Sequence, residues 1–147
     1  MQTSLMNKVI VSIAVEKDLP MIYRMIEGYS GNQPIDRVKV MQAARDLVSI
    51  HGVLVADVNA EPIGIMAGYV MNSLFTDDVM FSTMFFYVKP EYRRYAREFM
   101  KEVELVLLPT KVNKIVIGIP YFVHPTFKRF LHMMGYSELE AHYQKRI

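Results

Sequence analysis

Along this chain the apolar positions switch between alternating and helical spacing, and each switch marks an element. Val9 through Val15 is a β-branched run that predicts a strand. Asp18 follows as an N-cap with Pro20 in the first turn, and Leu19, Ile22, Tyr23, Ile26 and Tyr29 recur at helical spacing. Ser30 to Pro34 breaks that helix; Val38, Met41, Ala44, Leu47 and Val48 outline a second one ending near His51 and Gly52. A hairpin comes next, with Val53–Val58, a turn over Asn59 to Pro62, and Ile63 through Met71. After the polar stretch Asn72 to Asp78, an apolar run extends from Val79 to Val88 and stops at Pro90. From Glu91, one stripe carries Tyr92, Tyr95, Ala96, Phe99, Val103 and Val106, predicting a helix that ends at Pro109. Lys114 to Ile119 reads as a short strand. His124 and Pro125 open a helix with Phe127, Phe130, Leu131 and Met134 on one face and Gly135 at its end. The tail from Ser137 to Ile147 reads as a further strand. This order, β, α, α, β, β, β, α, β, α, β, predicts an α/β or α+β fold around a central mixed sheet.

Composition narrows the function classes. The 147 residues suit a single domain over 1–147, and an apolar fraction of 52% supports a real core. A net charge of +2 is too small for a general nucleic-acid footprint, so any positive potential must be local. With no cysteine, neither disulfides nor thiolate metal sites nor a cysteine nucleophile can form, and no metal site is expected. No signal peptide or membrane-span pattern stands out, which points to a cytoplasmic protein without a membrane partner.

The strongest local feature is the junction after Val88. A helix that starts just beyond a strand aims its first unpaired N–H groups, and the positive end of its dipole, at whatever lies past the strand's carboxyl end. Such a start binds phosphate groups. Arg93, Arg94 and Arg97 add positive charge there; a solvated helix face is the other reading of the same three residues.

Four separated pieces resemble the GNAT superfamily of N-acyltransferases. Val11 to Pro20 looks like the family's opening strand and first helix, and Val53 to Gly68 like its second and third strands. Tyr87-Val88-Lys89-Pro90-Glu91-Tyr92-Arg93-Arg94 is similar to the strand-to-helix junction, and Phe130 to Tyr136 to the last helix with its glycine stop. The resemblance implies a central mixed, mostly antiparallel sheet flanked by about four helices. It also implies acetyl-CoA as cosubstrate and a small-molecule or protein amine as acceptor. By the same resemblance, the cofactor would lie against Phe86, Tyr87, Val88, Arg93, Arg94, Tyr95, Ala96, Arg97, Glu98, Phe127 and Leu131.

This chain departs from the family pattern at named positions. The small residues of the pyrophosphate loop match Ala96 and Glu98, and the tyrosine that usually protonates the leaving thiolate matches Leu131. The strand Val79–Val88 carries no carboxylate to serve as base. Tyr121, His132 and His124 are the candidate catalytic groups, because a phenol or imidazole can move a proton at the reacting atoms. His124 has helix capping as its alternative role, and Tyr121 has covering the core edge. Tyr23, Glu27, Tyr29, Tyr69 and Asn72 are candidates for the acceptor side, while the run Met80 to Phe86 reads as core or as an adaptable apolar surface for a protein contact, in a homodimer or larger assembly. Three functions follow in order: an acyl-CoA-dependent N-acyltransferase; a GNAT-like domain without catalysis, acting as a binding or structural part such as a phage-particle component; and a nucleic-acid binder resting on the three arginines alone.

Overall fold

A computed structural model describes residues 8–31, 33–119, 124–140 and 142–147. Its sheet has five strands in the order β1-β2-β3-β4-β5: β1 Val9–Ile13, β2 Val53–Val58, β3 Glu61–Asn72, β4 Val79–Val88 and β5 Lys114–Ile117. The first four form an antiparallel meander, and β5 returns parallel to β4. The helices are α1 Leu19–Ser30, α2 Arg37–Ser49, α3 Ala96–Leu107 and α4 Pro125–Met133.

Each face of the sheet buries its own cluster. On one, α1 contributes Leu19, Ile22, Met25 and Ile26, and α2 contributes Ala44 and Leu47, against Val53, Val55, Ile65 and Ala67. On the other, Phe99 and Val103 of α3 pack on Leu54, Ala56, Ile63, Met66, Phe81 and Val88. Strand alternation sends Leu54 and Val55 to opposite sides, which explains why both neighbours are apolar. Phe99 is wholly buried over Gly64, where a Cβ would lie 3.1 Å from its ring, so the missing side chain lets α3 settle close to the sheet.

Local chemistry sets the boundaries. Asp36 caps α2 by accepting from the Lys39 amide at 3.1 Å. The β2–β3 turn is made by Asn59 and Ala60, both with positive φ (52° and 65°), as a two-residue hairpin of type I′ requires. At the end of α4, Gly135 takes φ 92° and the Tyr136 amide donates to the Leu131 carbonyl, closing the helix as the glycine stop predicts.

Four expectations need correction. Asp18 stands at the N-cap of α1 without capping it: a short 3-10 turn, Glu16–Asp18, precedes the helix, and the Asp18 carboxylate accepts from the Val15 amide instead. β1 ends at Ile13 and β5 at Ile117, two residues short of the apolar runs that announce them. The helix expected from Glu91 starts as a 3-10 segment, Pro90–Tyr95, and becomes α-helical only at Ala96. The tail from Ser137 contributes no strand among the described residues, because its apolar side chains Leu139 and Tyr143 find nothing to pack on and are 66% and 95% exposed. Among the described residues, no helix is long and apolar enough to cross a membrane.

Candidate active site

The site is organised by the parting of β4 from β5. Their register runs Met80 with Lys114, Phe81 with Ile115, Ser82 with Val116 and Thr83 with Ile117, and there it stops. Buried Thr83 closes the paired stretch by donating its hydroxyl to the Val116 carbonyl at 3.0 Å. One residue later β4 bulges: Gly68 faces Thr83, whereas Ala67 faces Phe85, leaving Met84 as the extra residue. A bulge bends its strand, and beyond this one residues 84–88 stay paired to β3 but have no β5 partner among the described residues. Among the described residues, alternate N–H and C=O groups of that half-strand therefore face a gap with no partner strand, the Val88 carbonyl being taken by Arg93. Amide donors on such an edge are suited to a carbonyl oxygen gaining negative charge.

Aromatic residues line the gap on the α3 side. Phe86 lies 5.5 Å from Phe99 and stacks at 5.9 Å on Phe127 of α4, which stacks in turn on Phe130. Leu131 is buried on the same helix. The structure thus brings together Phe86 and Phe127, two of the residues expected to line a cofactor. Tyr87 points the other way and packs into the α1–α2 cluster, leaving its backbone as the part near the gap. Phe85 meets Tyr29 edge to face at 5.2 Å, and burial pushes the Tyr29 phenol above its ordinary pKa.

At the carboxyl end of β4 the expected row of free amides takes another form. In a 3-10 helix each amide turns back to a carbonyl three residues earlier. Tyr92 donates to Lys89 at 2.9 Å and Ala96 donates to Arg93, so part of the donor set is used internally. No side chain caps the start of α3. The arginines are also locally engaged: Arg93 Nε donates to the Val88 carbonyl at 3.1 Å, and Arg94 Nη1 donates to the Glu91 carbonyl at 2.9 Å while lying over the Tyr95 ring. Arg93, Arg94, Arg97 and Glu98 are all exposed.

The candidate proton-transfer groups are dispersed. His124 caps α4, its Nδ1 accepting from the Thr126 amide at 3.2 Å. His132 is exposed in the last turn of that helix. Tyr121 lies outside the described residues. On the acceptor side, Tyr23 Oη is buried without a hydrogen-bond partner, Glu27 and Tyr29 end α1, and Tyr69 and Asn72 stand exposed on β3. Sequence reasoning missed the bulge at Met84 and the Thr83 lock; Gly68, one of two glycines inside the β3 pattern, was the available signal.

No protein-family model and no curated protein sequence matches the chain. Solved structures do match its three-dimensional form. A ribosomal-protein-alanine N-acetyltransferase from Brucella melitensis biovar Abortus superposes with a TM-score of 0.75 at 15% identity, over 95% of this chain and 99% of that one. A GNAT family acetyltransferase from Staphylococcus aureus gives 0.71 at 11% identity, over 95% and 99%. An aminoglycoside acetyltransferase from an uncultured soil metagenomic sample, solved with sisomicin, gives 0.69 at 14% identity, over 95% and 96%. At these identities the likeness is one of fold, and the fold is that of the GNAT acetyltransferases.

Proposed function

We propose that this GNAT-fold chain is an acyl-CoA-dependent N-acyltransferase that carries an acetyl group from acetyl-CoA to an amine. One observation carries the reading: β4 and β5 part after Thr83, leaving a strand edge that has no partner strand among the described residues beside an apolar wall of Phe86 and Phe127. The edge offers amide donors for the thioester oxygen, and the wall suits an extended, largely apolar arm. In the transfer, the amine nitrogen attacks the thioester carbon, the C–N bond forms, the C–S bond breaks, and the proton lost by nitrogen offsets the one gained by the departing thiolate. The residues fit the arm better than the diphosphate, for which exposed Arg93, Arg94 and Arg97 supply charge beside a partly self-bonded backbone.

The test is thermal denaturation against acetyl-CoA. Saturable stabilisation is expected, about 2.7 kcal/mol at a hundredfold excess over Kd. Arg94→Glu should weaken that response tenfold or more and change the ligand-free Tm only a little, since it removes the exposed contacts to the Glu91 carbonyl and the Tyr95 ring. A melting curve indifferent to millimolar acetyl-CoA would overturn the proposal.

A second reading, a binding or structural part without catalysis, draws on the 3-10 junction and on buried Leu131 where a proton-donating tyrosine would stand. Thiol release above background across a panel of amines would eliminate it.

A further inference from the structure

β3 and β4 run beyond the helices that cover them. Ile65 and Ala67 point into the α1–α2 cluster, so alternation along β3 places Tyr69 and Met71 on that same face. Their partners across the register are Ser82 and Met80. Neither helix reaches this part of the sheet closely: Tyr69 is 41% and Met71 38% exposed, and the bulged Met84, at the point where β4 leaves β5, is 48% exposed. The patch adjoins the Phe85–Tyr29 pair and lies across the sheet from the Phe86–Phe127 wall. Its charge is sparse. Lys114, beside Met80, is held by Asp78 at 2.7 Å, Asp77 is exposed in the loop before β4, and the one carboxylate of α1 is Glu27, next to the Gly28 that rests on Tyr87.

We propose that this patch receives the acceptor of the transfer, and that the acceptor is a small monoamine whose single ammonium sits on an aromatic or aliphatic body. The assignment rests on the acyltransferase reading above. Unbranched thioether side chains adapt to apolar shapes and favour aromatic edges, so methionines with a tyrosine make a floor for such a body. A polyamine or aminoglycoside carries several ammonium groups and would need several carboxylates to replace their hydration. Among the described residues α1 and the β3–β4 loop together offer Glu27 and Asp77, with Asp78 committed to Lys114, fewer carboxylates than such a ligand has ammonium groups.

Melting shifts of the CoA-saturated protein test this apart from catalysis. 2-Phenylethylamine is expected to raise Tm at concentrations at least tenfold below those at which spermidine has any effect. Thiol release from acetyl-CoA should show the same order in kcat/KM. Met71→Glu should raise the KM for 2-phenylethylamine at least tenfold with kcat and the acetyl-CoA melting shift unchanged, and Met71→Leu should restore it; Met71→Gln takes the place of the glutamate variant if that chain does not fold. If acetyl-CoA stabilises the protein but spermidine or an aminoglycoside is preferred, or only a peptide amine is taken, the acceptor assignment is overturned. If acetyl-CoA itself has no effect, the acyltransferase reading falls first.

Discussion

Gly68 makes the bend in β4 sterically feasible. A Cβ at this position would run into the Ser82 carbonyl oxygen and lie 2.8 Å from the Thr83 Cα, both backbone atoms with little room to move. Gly52 is its counterpart on the other side, where a Cβ would meet the Gly68 carbonyl oxygen. Gly68→Ala is therefore expected to destabilise the fold by roughly 3 kcal/mol or more. Gly28→Ala makes a useful contrast. Its Cβ would meet the end of the Tyr87 side chain, 2.7 Å from Cζ, and a phenol can swing aside. The helix also gains about 0.5–1 kcal/mol when glycine becomes alanine, so the net change should stay within about 1 kcal/mol. Urea midpoints at constant m-value measure both; equal losses for the two variants would contradict the assigned strain.

Between elements, the start of β5 is fastened to the β3–β4 loop by one carboxylate. Asp78 accepts from Lys114 Nζ at 2.7 Å, Thr76 Oγ1 at 2.8 Å and Asn113 Nδ2 at 3.1 Å, while Asn113 Oδ1 accepts from the Val79 amide. The hydrogen bond from Lys114, with those from Thr76 and Asn113, holds the Asp78 carboxyl below its ordinary pKa. A depressed acid stabilises the fold above its unfolded pKa, about 3.9, and that contribution disappears as pH falls through the lower folded value. Asp78→Asn should therefore lower Tm at pH 7, and the difference from the parent chain should shrink steadily below about pH 4. A gap that is independent of pH would assign the effect to geometry rather than charge. The neighbouring strands and helices were largely legible in sequence, because Pro20, Pro125, Gly135 and the Asn59–Ala60 turn punctuate clear periodicities. The bend was not: Met84 begins a continuous apolar stretch to Val88 that follows Ser82 and Thr83, where one inserted residue does not disturb the pattern. Nor was the 3-10 start after Pro90, since Arg93, Arg94 and Tyr95 suit either helical form. Of the site itself, Phe86 and Phe127 were each expected at the cofactor but not as a stacked pair, and His124, for which helix capping was weighed beside proton transfer, caps α4.

Across the whole molecule the apolar surface is uneven. Leu74 and Phe75, in the β3–β4 loop, are 90% and 93% exposed, although the Phe75 amide and the loop are well tied through Ser73. Replacing both with serine should alter stability by no more than about 0.5 kcal/mol, because neither supports the core. Retention on a phenyl matrix should fall in the same variant, and a large loss of stability would show that the loop packs more tightly than its exposure indicates. Acceptance of a ligand also affects how the chain opens. Among the described residues β5 and α4 are fixed to the remainder by four register pairs, the Thr83 hydroxyl, the Asp78 contacts at the start of β5, Ile115, one ring stack and Leu131. Ile63–Ala67 of β3, by contrast, is buried on both faces of the sheet. Deuterium should consequently enter the amides of Lys114–Ile117 long before those of Ile63–Ala67, in a sub-global opening that leaves the meander intact. A thioester filling the gap would slow that exchange selectively, making protection of β5 a readout of occupancy that needs no knowledge of the acceptor.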